Sequence, residues 1–373
     1  MLMKPKILWL WKQESAVSYY RAKLPARKLQ EKGYDITIHS EPYSRLKPSF
    51  TEWAKNNLGK WDLLLLDRTS TFADLPTFAG LRHYSPGMRM VTDFDDDFLN
   101  VPWWNQATSL YKPGCEARES GLAHLKLSEL VTASTESITQ KFRSRTHDII
   151  HCPNGLDPED WTKFPTNPDR HKDPNLRVLY GGASGHFGDM DEARLGVETV
   201  IENPPVPFRF ICFGAIPGWL HELSRKYPQR VVRLPWVSFA SYPQAIAWGG
   251  FDVAIAPLAE HTFNDSKSDI KWQEAAVQGI PFLCSDVGPF KSLPKGTAVK
   301  VSNTPVQWAE GLRNLLTDVS LREKLRLKAK EAVLDIGTID KTVSKWEVCI
   351  ERAMSRPRIE TLEDIRLPDE EIK

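Results

Sequence analysis

The sequence has few cysteines and no long apolar run. Its five cysteines are scattered over 373 residues without a C-x-x-C pair, which excludes a disulfide scaffold and argues against a structural zinc site. Runs of aliphatic residues such as 63–66 are far shorter than the ~20 residues that a membrane-spanning helix needs. Residues 1–11 are too few and too soon polar for a signal peptide, and they are predicted to begin the first strand. A reduced, cytoplasmic setting is the simplest interpretation.

A charge excess is also lacking, since the net charge of the whole chain is +1. The charges are unevenly placed, however, because residues 1–90 carry fifteen Lys and Arg against eight Asp and Glu. A basic first segment suits an anionic partner, although solvated helix faces are often basic as well. The nine histidines include no H-E-x-x-H motif, which argues against a zinc hydrolase.

Apolar runs alternate with helical segments along most of the chain. In the first part, strands are predicted at 6–11, 34–39, 61–67, 88–92, 129–133 and 148–151. After a Pro-rich stretch, strands are predicted at 177–180, 208–213, 251–257, 280–285 and 298–301, and helices near 305–317, 320–334 and 340–354. Strands that are apolar on both faces and separated by helices are typical of parallel sheets covered on both sides.

The sequence therefore predicts an α/β chain with two Rossmann-like domains that face each other across a cleft. The first, acceptor-binding domain is expected over 1–162, a linker over 163–175 and the second domain over 176–338. A C-terminal helix over 339–355 is expected to pack back on the first domain, and 356–373 to form a tail.

The richest polar segment after a predicted strand is 263–281. Ser266 or Ser268 is predicted to cap a helix that Gly279 ends, and Lys267 and Lys271 lie at its start. Free N–H groups and the positive end of the helix dipole favour an anion there. Glu274 lies further along the helix, where a carboxylate can accept both hydroxyls of a ribose. The alternative is a surface helix with an ordinary serine cap.

Several motifs, in this order along the chain, resemble GT-B-fold glycosyltransferases of the large family 4 type. They are Tyr20-Arg21, Val131-Thr-Ala-Ser-Thr-Glu136, Cys152-Pro-Asn-Gly-Leu-Asp157, Gly181-Gly-Ala-Ser184, Glu274-Ala-Ala-Val-Gln-Gly-Ile-Pro281 and Cys284-Ser-Asp-Val-Gly-Pro289. The resemblance implies transfer of a hexosyl or pentosyl group from a UDP- or GDP-type sugar donor, with the anomeric configuration retained. It implies no obligatory metal or other cofactor.

The same resemblance implies a donor site in the second domain. Glu274 would hold the ribose, the helix start at 266–271 the diphosphate, and the turn at Trp236 and Val237 would face the base. The implied donor-binding residues are Gly181, Gly182, Trp236, Val237, Ser266, Lys267, Ser268, Lys271 and Glu274. Many family members have a glutamate that contacts the sugar at the position of Ser266, so the sugar contacts do not carry over. His186 is expected near the phosphates, or in a capping or surface role.

Three consecutive carboxylates, Asp95, Asp96 and Asp97, follow a predicted strand of the first domain. Such groups repel one another unless they are solvated, hydrogen-bonded or bound to a cation. They are candidate catalytic residues, as a general base or as stabilisers of positive charge on the sugar carbon. A similar triplet occurs in a subgroup of family 4-like enzymes, phage-type enzymes included. The alternatives are a metal site of the GT-A type, or a solvated turn in which Asp97 is an N-cap.

The acceptor has two candidate classes, a glycan and DNA. Candidate residues on the acceptor or phosphate side are Tyr20, Arg21, Arg68 and Trp103. A DNA acceptor with modified (hydroxymethyl) bases would use basic residues of the first domain, namely Lys12, Arg21, Lys23, Arg45, Lys47 and Arg68. A glycosyltransferase-like protein that only binds a nucleotide or nucleic acid is a further alternative.

Overall fold

The computed structural model of the protein describes residues 4–11, 14–39, 56, 59–67, 85 and 87–359. The chain divides into two compact units. The first comprises 1–101, 109–155 and 339–373, and the second comprises 102–108 and 156–338.

The first unit contains a six-stranded parallel sheet in the order β2-β1-β3-β4-β5-β6. Its strands are β1 (Lys6–Leu10), β2 (Asp35–His39), β3 (Leu63–Asp67), β4 (Arg89–Phe94), β5 (Leu130–Ala133) and β6 (Ile149–His151). Its helices are α1 (Ala16–Ser18), a π-helical turn (Tyr19–Lys23), α2 (Leu24–Glu31), α3 (Glu116–Leu127), α4 (Glu136–Phe142) and the C-terminal helix (Ile339–Ser355). After α2, Gly33 has φ +82°, the left-handed conformation expected just beyond a helix end.

The C-terminal helix completes the core of the first unit. Its residues Val343, Trp346, Cys349, Ile350 and Ala353 recur at helical spacing on one face and are all buried. The Trp346 ring packs against Trp9 of β1 with 5.2 Å between ring centroids. The predicted apolar face is the face that packs, because a helix buries the stripe formed by residues three and four apart.

The second unit contains another six-stranded parallel sheet, in the order β12-β11-β10-β7-β8-β9. Its strands are β7 (Leu176–Gly182), β8 (Phe208–Gly214), β9 (Val231–Leu234), β10 (Val253–Ala256), β11 (Phe282–Ser285) and β12 (Val299–Val301). Its α-helices are α5 (Pro158–Thr162), α6 (Phe187–Asp191), α7 (Arg194–Glu202), α8 (Gly218–Lys226), α9 (Tyr242–Gly249), α10 (Ile270–Val277), α11 (Pro305–Thr317) and α12 (Val319–Ile336).

This strand order is that of a Rossmann sheet, in which the chain reverses direction of winding between two neighbouring strands. Here those strands are β7 and β10, which pair with Val178 opposite Val253. Ligands of open α/β sheets bind outside the carboxyl ends of the strands at this switch point. The topology therefore directs attention to the residues that follow β7 and β10.

The division into units differs in two places from the predicted domains. The predicted linker 163–175 belongs to the second unit, where Arg170 pairs with Asp252 and Asp173 accepts from Arg177 and Arg209, each at 2.9 Å. Segment 102–108 also belongs to the second unit although it lies between β4 and α3 of the first. Pro-rich composition identified an irregular segment but not the ion pairs that hold it.

No α-helix in the described ranges combines the length and the apolar character that crossing a membrane requires.

Candidate functional site

A pocket of about 60 Å³ lies against the second sheet, over the two switch-point strands β7 and β10. Leu179 and Gly181 of β7 and Ala254 and Ile255 of β10 form its floor. Its walls come from α5, α9, α10 and the segment that follows α10, with Trp161, Tyr242, Ile246, Lys271, Glu274, Ala275, Ile280 and Phe282. Two of the predicted donor-binding residues, Lys271 and Glu274, thus share one pocket with a third, Gly181.

The start of α10 differs from the prediction. The helix begins at Ile270 after its N-cap residue Asp269, whose side chain makes no capping hydrogen bond. Ser266 instead lies buried in a 3₁₀ turn, where its Oγ donates to the carbonyl of Thr262 at 3.3 Å. The expectation that Ser266 or Ser268 caps this helix is therefore wrong. The positive end of the helix dipole lies at this N-terminus, which suits an anion.

Two lysines lie at this helix start. Lys271 Nζ donates to the carbonyl oxygen of Gly181 at 3.3 Å, and the ammonium of Lys267 lies 4.3 Å from the centre of the Phe263 ring. Burial lowers the pKa of Lys271, and the neighbouring charge of Lys267 lowers it further. We call Lys267, Lys271 and the first turn of α10 the cationic corner. Neighbouring like charges favour an anionic ligand, because it relieves their repulsion.

Glu274 lies one turn further along α10, half-buried in the pocket wall. Burial raises the pKa of the Tyr242 hydroxyl, which also lines the pocket, and the negative charge of Glu274 adds to this shift. A neutral phenol and a carboxylate therefore line the same pocket as the cationic corner. Such a surface can accept hydrogen bonds from a diol while the corner binds phosphate.

Two glycines bring the end of β7 close to the end of β8. Gly214 has φ +87°, and a Cβ at this position would lie 2.5 Å from the carbonyl oxygen of Gly182. The amide of Ala215 donates to that same carbonyl at 3.0 Å. Trp236, which follows β9, lies beside Gly214 and is 74% exposed; Val237 next to it is half-buried. The predicted base-facing turn thus presents an open indole at the same sheet edge as Gly181 and Gly182.

The sequence did not identify the most connected carboxylate of this region, Asp189. It is 2% exposed and accepts hydrogen bonds from the ring of His186 at 2.8 Å, the amide of Ala259 at 3.0 Å and the side chain of Asn264 at 2.6 Å. It therefore joins the loop after β7 to the segment after β10. The sequence does contain a pattern that indicates this pair, because His186 and Asp189 are three residues apart at the point where a glycine-rich turn enters a helix.

Segment 102–108 covers the start of α6. Trp104 packs edge to face on His261, with 5.3 Å between ring centroids, and it lies over Gly188, where a Cβ would come within 2.4 Å of the indole. The hydroxyl of Ser184 donates to the side-chain oxygen of Gln106 at 3.0 Å. The preceding residue, Trp103, is 83% exposed. The predicted Trp103 contacts the ring of Trp104 edge to face, with 5.6 Å between ring centroids, and Trp104 makes the contacts with His261 and Gly188.

In the first unit, the structure separates the members of the acidic triplet. Asp97 is fully buried, pairs with Lys141 at 2.8 Å, and accepts from the amide of Leu99 at 3.2 Å and the side chain of Asn100 at 2.8 Å. These contacts make it a structural turn residue, so its prediction as a catalytic residue is corrected. Asp95 and Asp96 are half-buried directly after β4, and Ser134 Oγ donates to the backbone carbonyl of Asp95 at 2.9 Å.

The acceptor-side candidates of the first unit are largely internal. Arg21 is 3% exposed and forms a two-bond ion pair with Asp93, at 3.0 Å from Nε and 2.6 Å from Nη2. Tyr20 is also buried and packs edge to face on Tyr19, with 5.1 Å between ring centroids. The expectation that these two side chains face a ligand is therefore wrong for this structure. Arg68 lies outside the described residues.

The described residues include no cluster of three or more His, Cys, Asp or Glu side chains arranged to hold a metal ion.

No protein-family model matches the sequence, and no curated protein matches it significantly. Solved structures do match its fold. They include HepE (Alr3699) from Anabaena in complex with UDP and glucose, with a TM-score of 0.64, 14% identity, and coverage of 93% of this chain and 99% of that chain.

A glycosyltransferase from Rickettsia africae gives a TM-score of 0.66 at 13% identity, with 95% of this chain and 100% of that chain covered. The apo structure of OtsA gives a TM-score of 0.63 at 12% identity, with 94% of this chain and 99% of that chain covered. Likeness at this level of identity concerns the fold. Together with the two parallel six-stranded sheets, it confirms the predicted α/β fold class: this chain has the GT-B fold.

Proposed function

We propose that this protein is a glycosyltransferase that moves a sugar from a nucleotide-diphosphate sugar to an acceptor hydroxyl. The observation that carries the proposal is the pocket at the switch point of the second sheet. There Glu274, Lys271 and Gly181 line one cavity at the start of α10. The lysine and the helix N-terminus would meet the diphosphate, and the carboxylate one turn further along would meet the ribose.

The donor roles follow from the chemistry of each group. The cationic corner would bind the diphosphate, Glu274 would accept the ribose hydroxyls, and Trp236 would stack on the base. A UDP-type donor is the first choice, since HepE structures of this fold contain UDP or UDP-glucose. The proposed donor needs no metal, because the lysines and the helix end supply positive charge to the leaving group.

In the transfer step, the bond between the anomeric carbon and the β-phosphate oxygen breaks, and its electron pair stays on that oxygen. The acceptor oxygen bonds to the anomeric carbon and loses its proton. We propose retention of configuration, in line with the resemblance to family 4 enzymes. Asp95 and Asp96 remain the proposed groups for proton removal or for stabilising the positive sugar carbon, and Asp97 has no such role.

The test begins with a panel of UDP- and GDP-sugars in a thermal-shift assay, followed by measurement of hydrolysis and transfer for each sugar that stabilises the protein. Glu274→Ala is expected to lose at least 100-fold in activity, because a charge-assisted contact to bound substrate is removed. The matched control is Glu222→Ala, which removes an exposed carboxylate from α8 and is expected to keep full activity. Full activity of Glu274→Ala with the correct donor contradicts the proposal. Binding without hydrolysis or transfer favours the alternative of a non-catalytic nucleotide-binding protein.

A further inference from the structure

The imidazole of His186 lies where one of its ring nitrogens can take up a proton. It lies between the glycine-rich turn after β7 and the start of α6, and its side chain is 20% exposed. One ring nitrogen, Nδ1, bonds to the buried carboxylate of Asp189 at 2.8 Å. Within the described part of the chain, the structure gives Nε2 no hydrogen-bond partner. The imidazole is therefore fixed on one side and open on the other.

The charges that face His186 come from two elements. Asp189 lies on α6, which begins directly after His186, and the positive charges of Lys271 and Lys267 act on the ring from the start of α10. The positive charge of Lys271, followed by burial, lowers the pKa of His186 to about 4, although the bond to Asp189 opposes this shift. The same lysines form the cationic corner proposed to bind the diphosphate. The two lysines that keep His186 uncharged are thus the groups whose positive charge a bound diphosphate would offset.

We propose that His186 takes up one proton when a nucleotide-diphosphate sugar binds, and that Nε2–H then donates a hydrogen bond to the diphosphate while Asp189 holds the ring. This inference rests on the proposed function and adds a proton-linked donor-binding residue to it. The proton comes from solvent and only the Nε2–H bond forms. When the diphosphate leaves after transfer, the ring returns that proton to solvent.

The proposed proton uptake makes the affinity for the donor depend on pH in one direction. In the free protein the pKa of His186 is about 4, so the ring is neutral near pH 7. Two negative phosphates offset the field of Lys267 and Lys271 and raise this pKa in the complex. Affinity for the donor is then greatest at low pH and falls, by up to tenfold per pH unit, until the pH passes the pKa of His186 in the complex.

The experiment is titration calorimetry of the full chain with UDP-glucose at pH 6, in two buffers of very different ionisation enthalpy. UDP-glucose is the probe because both of its phosphates stay fully ionised at this pH, so any proton taken up goes to the protein. We expect uptake of about half to one proton per UDP-glucose bound. His186→Gln is expected to abolish both the uptake and the fall in affinity between pH 5 and 7.

Two further variants make the result specific. His186→Asn keeps an N–H donor toward Asp189 but cannot be protonated, so it guards against misfolding and is also expected to show no uptake. His171→Gln changes an exposed histidine of the same unit and is expected to behave as wild type. If UDP-glucose binds with no uptake, or with equal uptake in His186→Gln, the inference is overturned and the proposed function stands. If no nucleotide sugar of the panel binds, both are overturned.

Discussion

Replacing Arg21 tests whether this residue has a structural role or a ligand-binding role. The guanidinium forms two bonds to Asp93, and its Nη1 donates to the carbonyl of Cys152 at 2.5 Å and to the side chain of Asn154 at 3.0 Å. Asp93 accepts in addition from the hydroxyl of Thr132 at 2.6 Å. In Arg21→Ala, the buried carboxylate keeps only that hydroxyl among these side-chain partners.

The expected cost is large because both partners are nearly inaccessible, at 3% and 5% exposure. Removing one member of a buried ion pair leaves an uncompensated charge and costs about 3–5 kcal/mol. That is a large part of the ~5–15 kcal/mol by which a typical domain is stable. The matched control is Lys23→Ala, two residues away, since Lys23 pairs with Glu14 at the surface with 35% and 68% exposure. Such pairs contribute roughly 0–1 kcal/mol.

Urea unfolding followed by tryptophan fluorescence measures the effect, since Trp9 and Trp346 lie in the core of the first unit. With a slope of about 2–3 kcal/mol per molar urea, Arg21→Ala should lower the midpoint of the unfolding transition by roughly 1–2.5 M, and Lys23→Ala by less than about 0.5 M. The double variant Arg21→Met, Asp93→Leu should recover much of the loss, because no unpaired charge remains. Equal midpoints for Arg21→Ala and wild type, combined with lost acceptor binding, would refute the structural role and restore the original prediction.

Two further predictions concern the packing of segment 102–108 and the acceptor. Gly188→Ala places a Cβ 2.4 Å from the Trp104 indole, so we expect it to lower the free energy of unfolding by about 1–3 kcal/mol, measured as a lower Tm. The control Gly218→Ala has open space around the added Cβ and should be neutral or slightly stabilising. The DNA alternative predicts that the logarithm of the binding constant for a 20-base-pair duplex falls with the logarithm of the salt concentration, with a slope of about 0.9 per neutralised phosphate. Charge reversal at Arg45 and Lys47 should weaken this binding without changing the affinity for the donor. Absence of duplex binding at low salt contradicts the DNA alternative.

The fold was predictable because its signals are local. Strand β10 is apolar at every position and β3 at its first four, a pattern typical of a sheet that is covered on both faces. The C-terminal helix carries its apolar residues at helical spacing, so its buried face could be located before its partner was known. Strand β9 was not predicted, since Val231–Leu234 lies at the sheet edge and contains an exposed arginine. Edge strands lack the continuous apolar pattern on which the prediction depends.

The errors in the site share a different cause. Ser266, Asp97 and Arg21 were assigned from their position after a strand or before a helix, and each is buried by contacts that the sequence does not announce. Arg21 meets Asp93 from 72 positions away, and Asp97 meets Lys141 from 44. A carboxylate or guanidinium has the same sequence signature whether it faces a ligand or a buried counter-charge. Only the three-dimensional contacts distinguish the two.

Four of the six candidate DNA-contact residues, Lys12, Arg45, Lys47 and Arg68, lie outside the described residues. The other two are engaged within the protein, Arg21 with Asp93 and Lys23 with Glu14. The described basic residues on which the DNA alternative was built therefore already have carboxylate partners. An acidic nucleic acid would have to displace Glu14 to reach Lys23, and it would have to break a buried ion pair to reach Arg21.

The donor side is better supported than the acceptor side because its residues come from one switch point. Strand order alone brings the ends of β7 and β10 together, so Gly181, Lys271 and Glu274 converge without any long-range coincidence. Asp189 then ties the loop after β7 to the segment that leads into α10, through His186, Ala259 and Asn264. A phosphate bound at the cationic corner would thus act on both loops through one buried carboxylate. This shared anchor is the physical reason to expect donor binding and the proton of His186 to be linked.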